Sequence, residues 1–423
     1  MNVSQHVPHR IPLNSPCLFH AASMMNMSNQ PTKRNMGRIV IIAVIIVAIV
    51  AAAFGYNMMT NPSMSSTSST NMMSETTSAV QAPTAVALLG AGATFPAPLI
   101  QTWTVEYNKL NPSITISYNP IGSGGGIQQI TAKTVDFGAS DAPLSDKQLA
   151  NASGLVLFPE TLGGVAITYN LVQFGIASTT VLHFTGPVIA AIYEGKITNW
   201  NDPAIQALNP GIALPNTQVT VVHRSDGSGT TYAFTNYLSV IDSAWATQVG
   251  YSTSVTWPVD KLATGVGSKG NAGVAGTVVN TPGAIGYVDV IYAVQNHIGV
   301  GAVQNAAGNF VVPTLQTILW AAGNATGTPN PSDLRLHIVN ASGAQSYPIA
   351  TYTYMLIYRD MSQNPGMTVD KSKALAKFFW WAIHDGQQYA PSLIYVPLPQ
   401  NVVAADEQLL LTLNFQGQHL LSE

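Results

Sequence analysis

Three loops made almost wholly of small residues each run directly into a helical pattern, and this restricts the chain more than any other feature. The clearest is Arg224-Ser225-Asp226-Gly227-Ser228-Gly229-Thr230, which packs a guanidinium, a carboxylate, hydroxyls and glycines into one short stretch. Residues 231–238 follow with apolar side chains at helical spacing. Unpaired backbone N–H groups project from a helix start, and the helix dipole there favours negative charge. Arginine adds a planar fork suited to a tetrahedral oxyanion. Taken alone, such a loop is also ordinary surface-turn chemistry.

Two further segments have the same form. GAGATFPAP at 90–98 precedes Leu99, Trp103, Tyr107 and Leu110, whose spacing predicts one face of a helix, with prolines at its start. Ile121-Gly122-Ser123-Gly124-Gly125-Gly126 opens onto Ile127-Gln128-Gln129-Ile130. Three such loops in one chain argue against a chance collection of turns. A fourth element, DFGASDAPLS at 136–145, sets Asp141 among small apolar residues. Asp141 suits a helix cap as well as a site, and Ser145 suits a cap for the turn that follows.

GAGATFPAP, GSGGG, DFGASDAPLS and RSDGSGT occur in the order and rough spacing of the phosphate-binding proteins of high-affinity ABC importers. The chain resembles that family from about residue 89 to 402, continuing through GKITNW at 195–200, LNPG at 208–211 and PGAIGY at 282–287. The resemblance implies an α/β, two-lobed type II periplasmic-binding-protein fold, each lobe a mixed sheet flanked by helices, with the ligand in the cleft. It implies lobe one at 89–165 plus 343–423, lobe two at 166–342, and closure about a hinge. It implies that Thr94 donates its hydroxyl, Phe95 its backbone N–H and Ser123 its hydroxyl. Arg224 makes the cationic contact, held by Asp226, while Ser228, Gly229 and Thr230 surround the remaining oxygens. Asp141 accepts a hydrogen bond from the ligand. Gly124 departs from the family, where many relatives carry a second hydroxyl, so a side-chain contact is lost there and backbone donation is kept.

The chemistry of Asp141 follows from its type. An ionised carboxylate only accepts hydrogen bonds. Phosphate at neutral pH carries at least one proton and sulfate carries none. A carboxylate facing the ligand therefore admits phosphate and repels sulfate. A site built around one hydrogen bond rejects an analogue lacking it by about 10⁴-fold or more.

Residues 39–54 form an uninterrupted apolar run, IVIIAVIIVAIVAAAF, directly after Arg38. Sixteen residues is short for a membrane span and long for a signal core. The reading is a basic cytosolic tail at 1–38 and a transmembrane anchor or uncleaved signal at 39–56. Lys33, Arg34 and Arg38 keep the N-terminus inside. Residues 57–88, rich in Ser, Thr, Met and Asn, read as a stalk. Cys17 precedes the apolar run, so no disulfide is expected in the exported part. Anchor, stalk and the sequons at Asn151, Asn324 and Asn340 suggest an archaeal cell surface. Only 8% of residues are charged, which suggests an acidic exterior.

Short apolar runs at 114–118, 165–170, 219–223, 284–287 and 352–358 alternate with helical patterns such as 372–383, as in α/β proteins. The run ending at His223 delivers Arg224 at a strand end, where open α/β sheets bind ligands. Gly265-Val266-Gly267-Ser268-Lys269-Gly270 matches a dinucleotide pattern, but no apolar strand precedes it. No Walker A pattern, HxxxH or HExxH spacing, or GxSxG occurs. No basic patch points to nucleic acid. No cofactor or metal is expected. The expected function is extracytoplasmic capture of phosphate and delivery to a permease and its ATPase, by a monomeric protein that is not an enzyme. The alternatives are a surface phosphatase, which needs an activated nucleophile or metal ligands, or a binder of arsenate, sulfate or molybdate.

Overall fold

The computed structural model of the protein describes residues 85–325 and 328–422. The tail at 1–38, the segment at 39–56 and the stalk as far as residue 84 lie outside the described residues. Among the described residues no helix is long and apolar enough to cross a membrane.

In chain order the first strands are β1 (Val86–Gly92), β2 (Ile114–Pro120), β3 (Phe137–Ser140), β4 (Leu155–Tyr169), β5 (His183–Phe184), β6 (Thr220–Arg224) and β7 (Gly265–Ser268). They are followed by β8 (Ala284–Asp289), β9 (Gly299–Val300), β10 (Ala302–Gln304), β11 (Phe310–Val311), β12 (Ala350–Tyr358), β13 (Asn414–Phe415) and β14 (Gln418–His419). β1 opens at Val86, inside the tract read as stalk, because Val86 and Leu88 pair with Ile114 and Ile116 of β2.

The main sheet runs β2-β1-β3-β12-β4-β8-β6-β7, with β9 also on β4. β2, β1 and β3 are parallel, as are β8, β6 and β7. The antiparallel pairs β3·β12, β12·β4 and β4·β8 join the two sets. β4 is the hub. Its residues as far as Gly164 pair with β12, and from Val165 onward with β8. Gly163 and Gly164 stand where the partner changes. A Cβ at Gly163 would lie 2.4 Å from the Phe95 ring, and one at Gly164 3.0 Å from Ile318, so close packing requires the pair.

Strands of a sheet covered on both faces read as continuous apolar runs, and β4 and β12 are buried along almost their whole length. Helix Ala97–Leu110 buries Leu99, Trp103 and Tyr107 as its spacing predicts. Leu110, expected on the same face, is the last residue of the helix and is 64% exposed. Helix Val369–Ile383 buries Leu375, Phe378, Phe379 and Ala382, with Phe379 edge-on to Phe137 and Phe158. The stretch around Arg335 returns to the β12 side. Arg335 Nη1 donates to the Leu144 carbonyl at 3.3 Å, and Leu336 N to the Tyr354 hydroxyl at 3.1 Å.

Candidate functional site

Each small-residue loop leaves the C-terminal end of a strand or precedes a helix as read. β1 ends at Gly92, and helix Ala97–Leu110 starts with Pro98 in its first turn. Gly122, at φ 95°, turns the chain into helix Ser123–Thr131. β6 ends at Arg224, and helix Gly229–Ile241 follows. The second and third loops meet edge to edge. Gly124 N donates to the Gly227 carbonyl at 2.8 Å. A Cβ at Gly124 would lie 3.0 Å from Gly227 Cα, so a hydroxyl side chain there would push the 225–228 turn away. Close backbone approach thus accounts for glycine at this position.

Arg224 is the electrostatic centre. Its side chain is 1% exposed. Nε donates to Asp226 Oδ1 at 2.7 Å and Nη2 to Oδ2 at 2.5 Å, a two-pronged pairing. Nη1 is left to Thr230 Oγ1 at 3.3 Å. Gly270 N donates to Asp226 Oδ1 at 3.0 Å. Burial works against the Asp226 charge, but the Arg224 hydrogen bonds and charge outweigh it and hold this carboxyl below the usual range. The guanidinium is aimed by Asp226 and largely neutralised by it. Any anion here is therefore held mainly by dipoles and hydroxyls.

Those groups converge. Ser123 Oγ accepts from Asp141 N at 3.2 Å and from Gly229 N at 3.0 Å. Its hydrogen remains to be donated. Thr230 Oγ1 accepts from Arg224 Nη1 and from Asn271 Nδ2 at 3.1 Å. Thr94 Oγ1 accepts from Asn271 N at 3.2 Å and Nδ2 at 3.0 Å. Phe95 is fully buried, and its carbonyl accepts from the Tyr395 hydroxyl at 2.6 Å. Ser228 differs from the rest. Its Oγ accepts from Thr231 N at 3.0 Å and so caps the helix. Its hydroxyl hydrogen still has no acceptor fixed by that bond.

Asp141 is 1% exposed and stands against the start of that helix. A Cβ on Gly229 would come 2.6 Å from Asp141 Oδ2, so only glycine admits the carboxylate so close to the helix N-terminus. Oδ1 accepts from the Thr353 hydroxyl at 3.1 Å. Burial pushes the Asp141 carboxyl up to about 7, against the opposing pull of the Thr353 hydrogen bond, the Arg224 charge and Thr230. The alternative reading of Asp141 as a helix cap does not hold. The cap of helix Asp146–Asn151 is Ser145, in a reciprocal box with Gln148.

Several residues here carried no signal at the level of sequence. Asn271 is fully buried and ties Thr94 to Thr230, while its Oδ1 accepts from Asp289 N at 2.9 Å. It begins the helix just after the glycine pattern at 265–270. That pattern is itself the short strand β7 followed by helix Gly270–Asn280. The glycine pattern is plain in the sequence, but without an apolar run the strand within it is not. Thr353 and Glu160 lie inside long buried strands, where nothing marks them.

Hydroxyls, helix N-termini and one aimed arginine thus converge around the buried carboxyl of Asp141. A family model described as a PBP superfamily domain matches residues 77–385. The phosphate-binding protein PstS of Xylella fastidiosa (strain Temecula1) is 44% identical over 349 residues, covering 82% of this chain and 89% of its own length. The protein of the same name from Methanocaldococcus jannaschii is 37% identical over 335 residues, covering 76% of this chain and 84% of its own. Among solved structures, a phosphate-binding protein from Stenotrophomonas maltophilia superposes with a TM-score of 0.57 at 21% identity, covering 76% of this chain and 93% of that one. The fold is thus of the periplasmic-binding-protein class. Within that class, the chain belongs to the PstS phosphate-binding protein family.

Proposed function

We propose that this chain captures inorganic phosphate outside the cytoplasm and delivers it to the permease of an ABC importer, as a monomeric receptor without catalytic activity. The observation that carries this reading is Asp141, a buried carboxylate set between a helix N-terminus and an arginine already paired to Asp226. Asp141 accepts a hydrogen bond from the ligand's O–H, Arg224 supplies the charged contact, and Asp226 aims it. Thr94, Ser123, Ser228 and Thr230 give hydroxyl donors, and Phe95 and Gly229 give backbone N–H groups. The lobes are 89–165 plus 343–423 and 166–342, a division supported by the change of β4 partner at Gly164 and Val165. The 333–337 stretch of the second lobe reaches back onto the first.

The segment 39–56 anchors the protein with its N-terminus inside, and 57–84 spaces it from the membrane. A Ser/Thr-rich stalk and sequons fit an archaeal cell surface. Equilibrium dialysis of the full chain against labelled phosphate tests the capture step. Retention of one phosphate per chain, unaffected by excess sulfate, is expected. Equal displacement by sulfate would refute it.

A further inference from the structure

The pairing of β12 with β4 is broken at one place. Thr353 faces Thr161 and Tyr354 faces Pro159, so Glu160 is the extra residue of a β-bulge. Bulges re-aim a side chain, and they occur near functional sites. Here the result is a carboxyl 1% exposed, with Oε1 3.1 Å from Thr353 Oγ1 and Oε2 without any partner. The same Thr353 oxygen lies 3.1 Å from Asp141 Oδ1. One hydroxyl therefore stands between two buried carboxyl groups.

A hydroxyl has one hydrogen to give and also accepts. If both carboxyls were ionised, one of the two contacts would bring lone pairs face to face. The trio therefore holds one carboxyl proton besides the hydroxyl's own. Its position is decided by the surroundings. Asp141 has the Arg224 charge and the Thr230 hydrogen bonds on its side. Glu160 has no cation near it, and its charged neighbour is Asp141 itself.

We propose that Glu160 is a specificity-determining residue that acts through Thr353. It keeps a proton, donates it to the Thr353 hydroxyl, and so makes that hydroxyl donate to Asp141. Asp141 is then held ionised, with its other lone pairs turned to the ligand. This rests on the reading that Asp141 accepts a hydrogen bond from the protonated phosphate. Burial first, and then the Asp141 charge, push the Glu160 carboxyl up to about 8, with only the Thr353 hydrogen bond opposing. The other titratable groups facing this pair are Tyr118, on the Glu160 side, and Asp289, Tyr292 and Tyr395, beside Asp141. Burial raises all three tyrosines, with the Asp141 charge contributing to each and the Glu160 charge to Tyr118, so they stay neutral through the range that matters.

The consequence is an alkaline limit on phosphate binding. When Glu160 ionises, Thr353 is contested and a second negative charge stands behind Asp141. The test is titration calorimetry of the full chain with inorganic phosphate, in wild type and Glu160→Gln, from about pH 5 to about pH 10, which brackets the carboxyl range of interest. The amide mimics the protonated acid and cannot ionise. The ratio of the wild-type to the variant dissociation constant cancels the titration of phosphate itself. It is expected near unity in acid and to rise on the order of tenfold at the alkaline end, the size of a charge that stands behind Asp141 and out of contact with the ligand. A ratio flat with pH overturns the proposal. Should Glu160→Gln not fold, Thr353→Ser is expected to keep the preference for phosphate over sulfate and Thr353→Val to lose it, and equal preference in the two overturns it. Asp141→Asn separates the two levels. If it leaves the phosphate–sulfate preference untouched, the underlying reading fails. If it abolishes the preference while the ratio stays flat, only the Glu160 proposal fails.

Discussion

Arg224→Ala and Asp226→Ala are expected to fail in opposite ways. In wild type the guanidinium is 1% exposed and the carboxylate 12% exposed, with two hydrogen bonds between them at 2.7 and 2.5 Å. Arg224→Ala removes the sole cation found in the cluster and leaves Asp226 with only the Gly270 N–H. Truncating a buried charge-assisted contact costs about 2–5 kcal/mol of binding, which is about 30- to 5,000-fold in dissociation constant. Asp226→Ala leaves a buried guanidinium without its partner. That costs on the order of 3–5 kcal/mol of folding stability. A bound phosphate supplies the missing negative charge, so affinity falls less than in Arg224→Ala and denaturation midpoints recover with added phosphate. Calorimetry ranks the affinities and urea unfolding ranks the stabilities. If Asp226→Ala proves the weaker binder of the two, donor and support have been assigned the wrong way round.

Asp141→Asn is expected to narrow the gap between phosphate and sulfate, because an amide donates as well as accepts, and competitive calorimetry measures the gap. Gly229→Ala is expected to weaken phosphate binding by more than tenfold, since its Cβ would lie 2.5 Å from Asp141 Cβ and 2.6 Å from Ser123 Oγ, whereas Gly276→Ala on the open face of its helix serves as the neutral control. Stability should rise as pH falls from about 8 towards about 4. Burial raises Asp141 to about 7 and Glu160 to about 8, and raises Asp289 and Asp406 well above the usual range. A raised carboxyl pKa gives stability that is full below the unfolded value near 4 and lost as pH rises through the folded value. Below about pH 4 the depressed carboxyls Asp226, Asp333 and Asp360 reverse the trend. Thermal melts that fall steadily from neutral pH to pH 4 would exclude this and the acidic exterior with it.

How much was legible in the sequence depended on locality. Loops that end strands and open helices declare themselves, so Ser123, Arg224, Gly229 and Thr230 were readable from small-residue runs beside helical spacing. Asp141 was readable as a residue type in an unusual setting. Asn271 was not, because β7 is a short strand of Gly265, Val266, Gly267 and Ser268, without the apolar run that marks one. The exposure of Leu110 was not readable, because periodicity does not say how far along a helix burial extends. Thr353 and Glu160 depend on a bulge, which is a property of two strands far apart in the chain. No periodicity within either strand encodes it. The sequence pattern also could not say that Ser228 would serve as the cap of its own helix.

The central claim is that one buried carboxylate reads a proton on the ligand. The most direct measurement is calorimetry of the full chain with phosphate and with sulfate at neutral pH, in the same buffer and ionic strength. Phosphate is expected to bind one to one, and sulfate about 10⁴-fold more weakly or not at all, the discrimination open to a site built around one hydrogen bond. Sulfate binding within tenfold of phosphate would contradict it, whatever the fold.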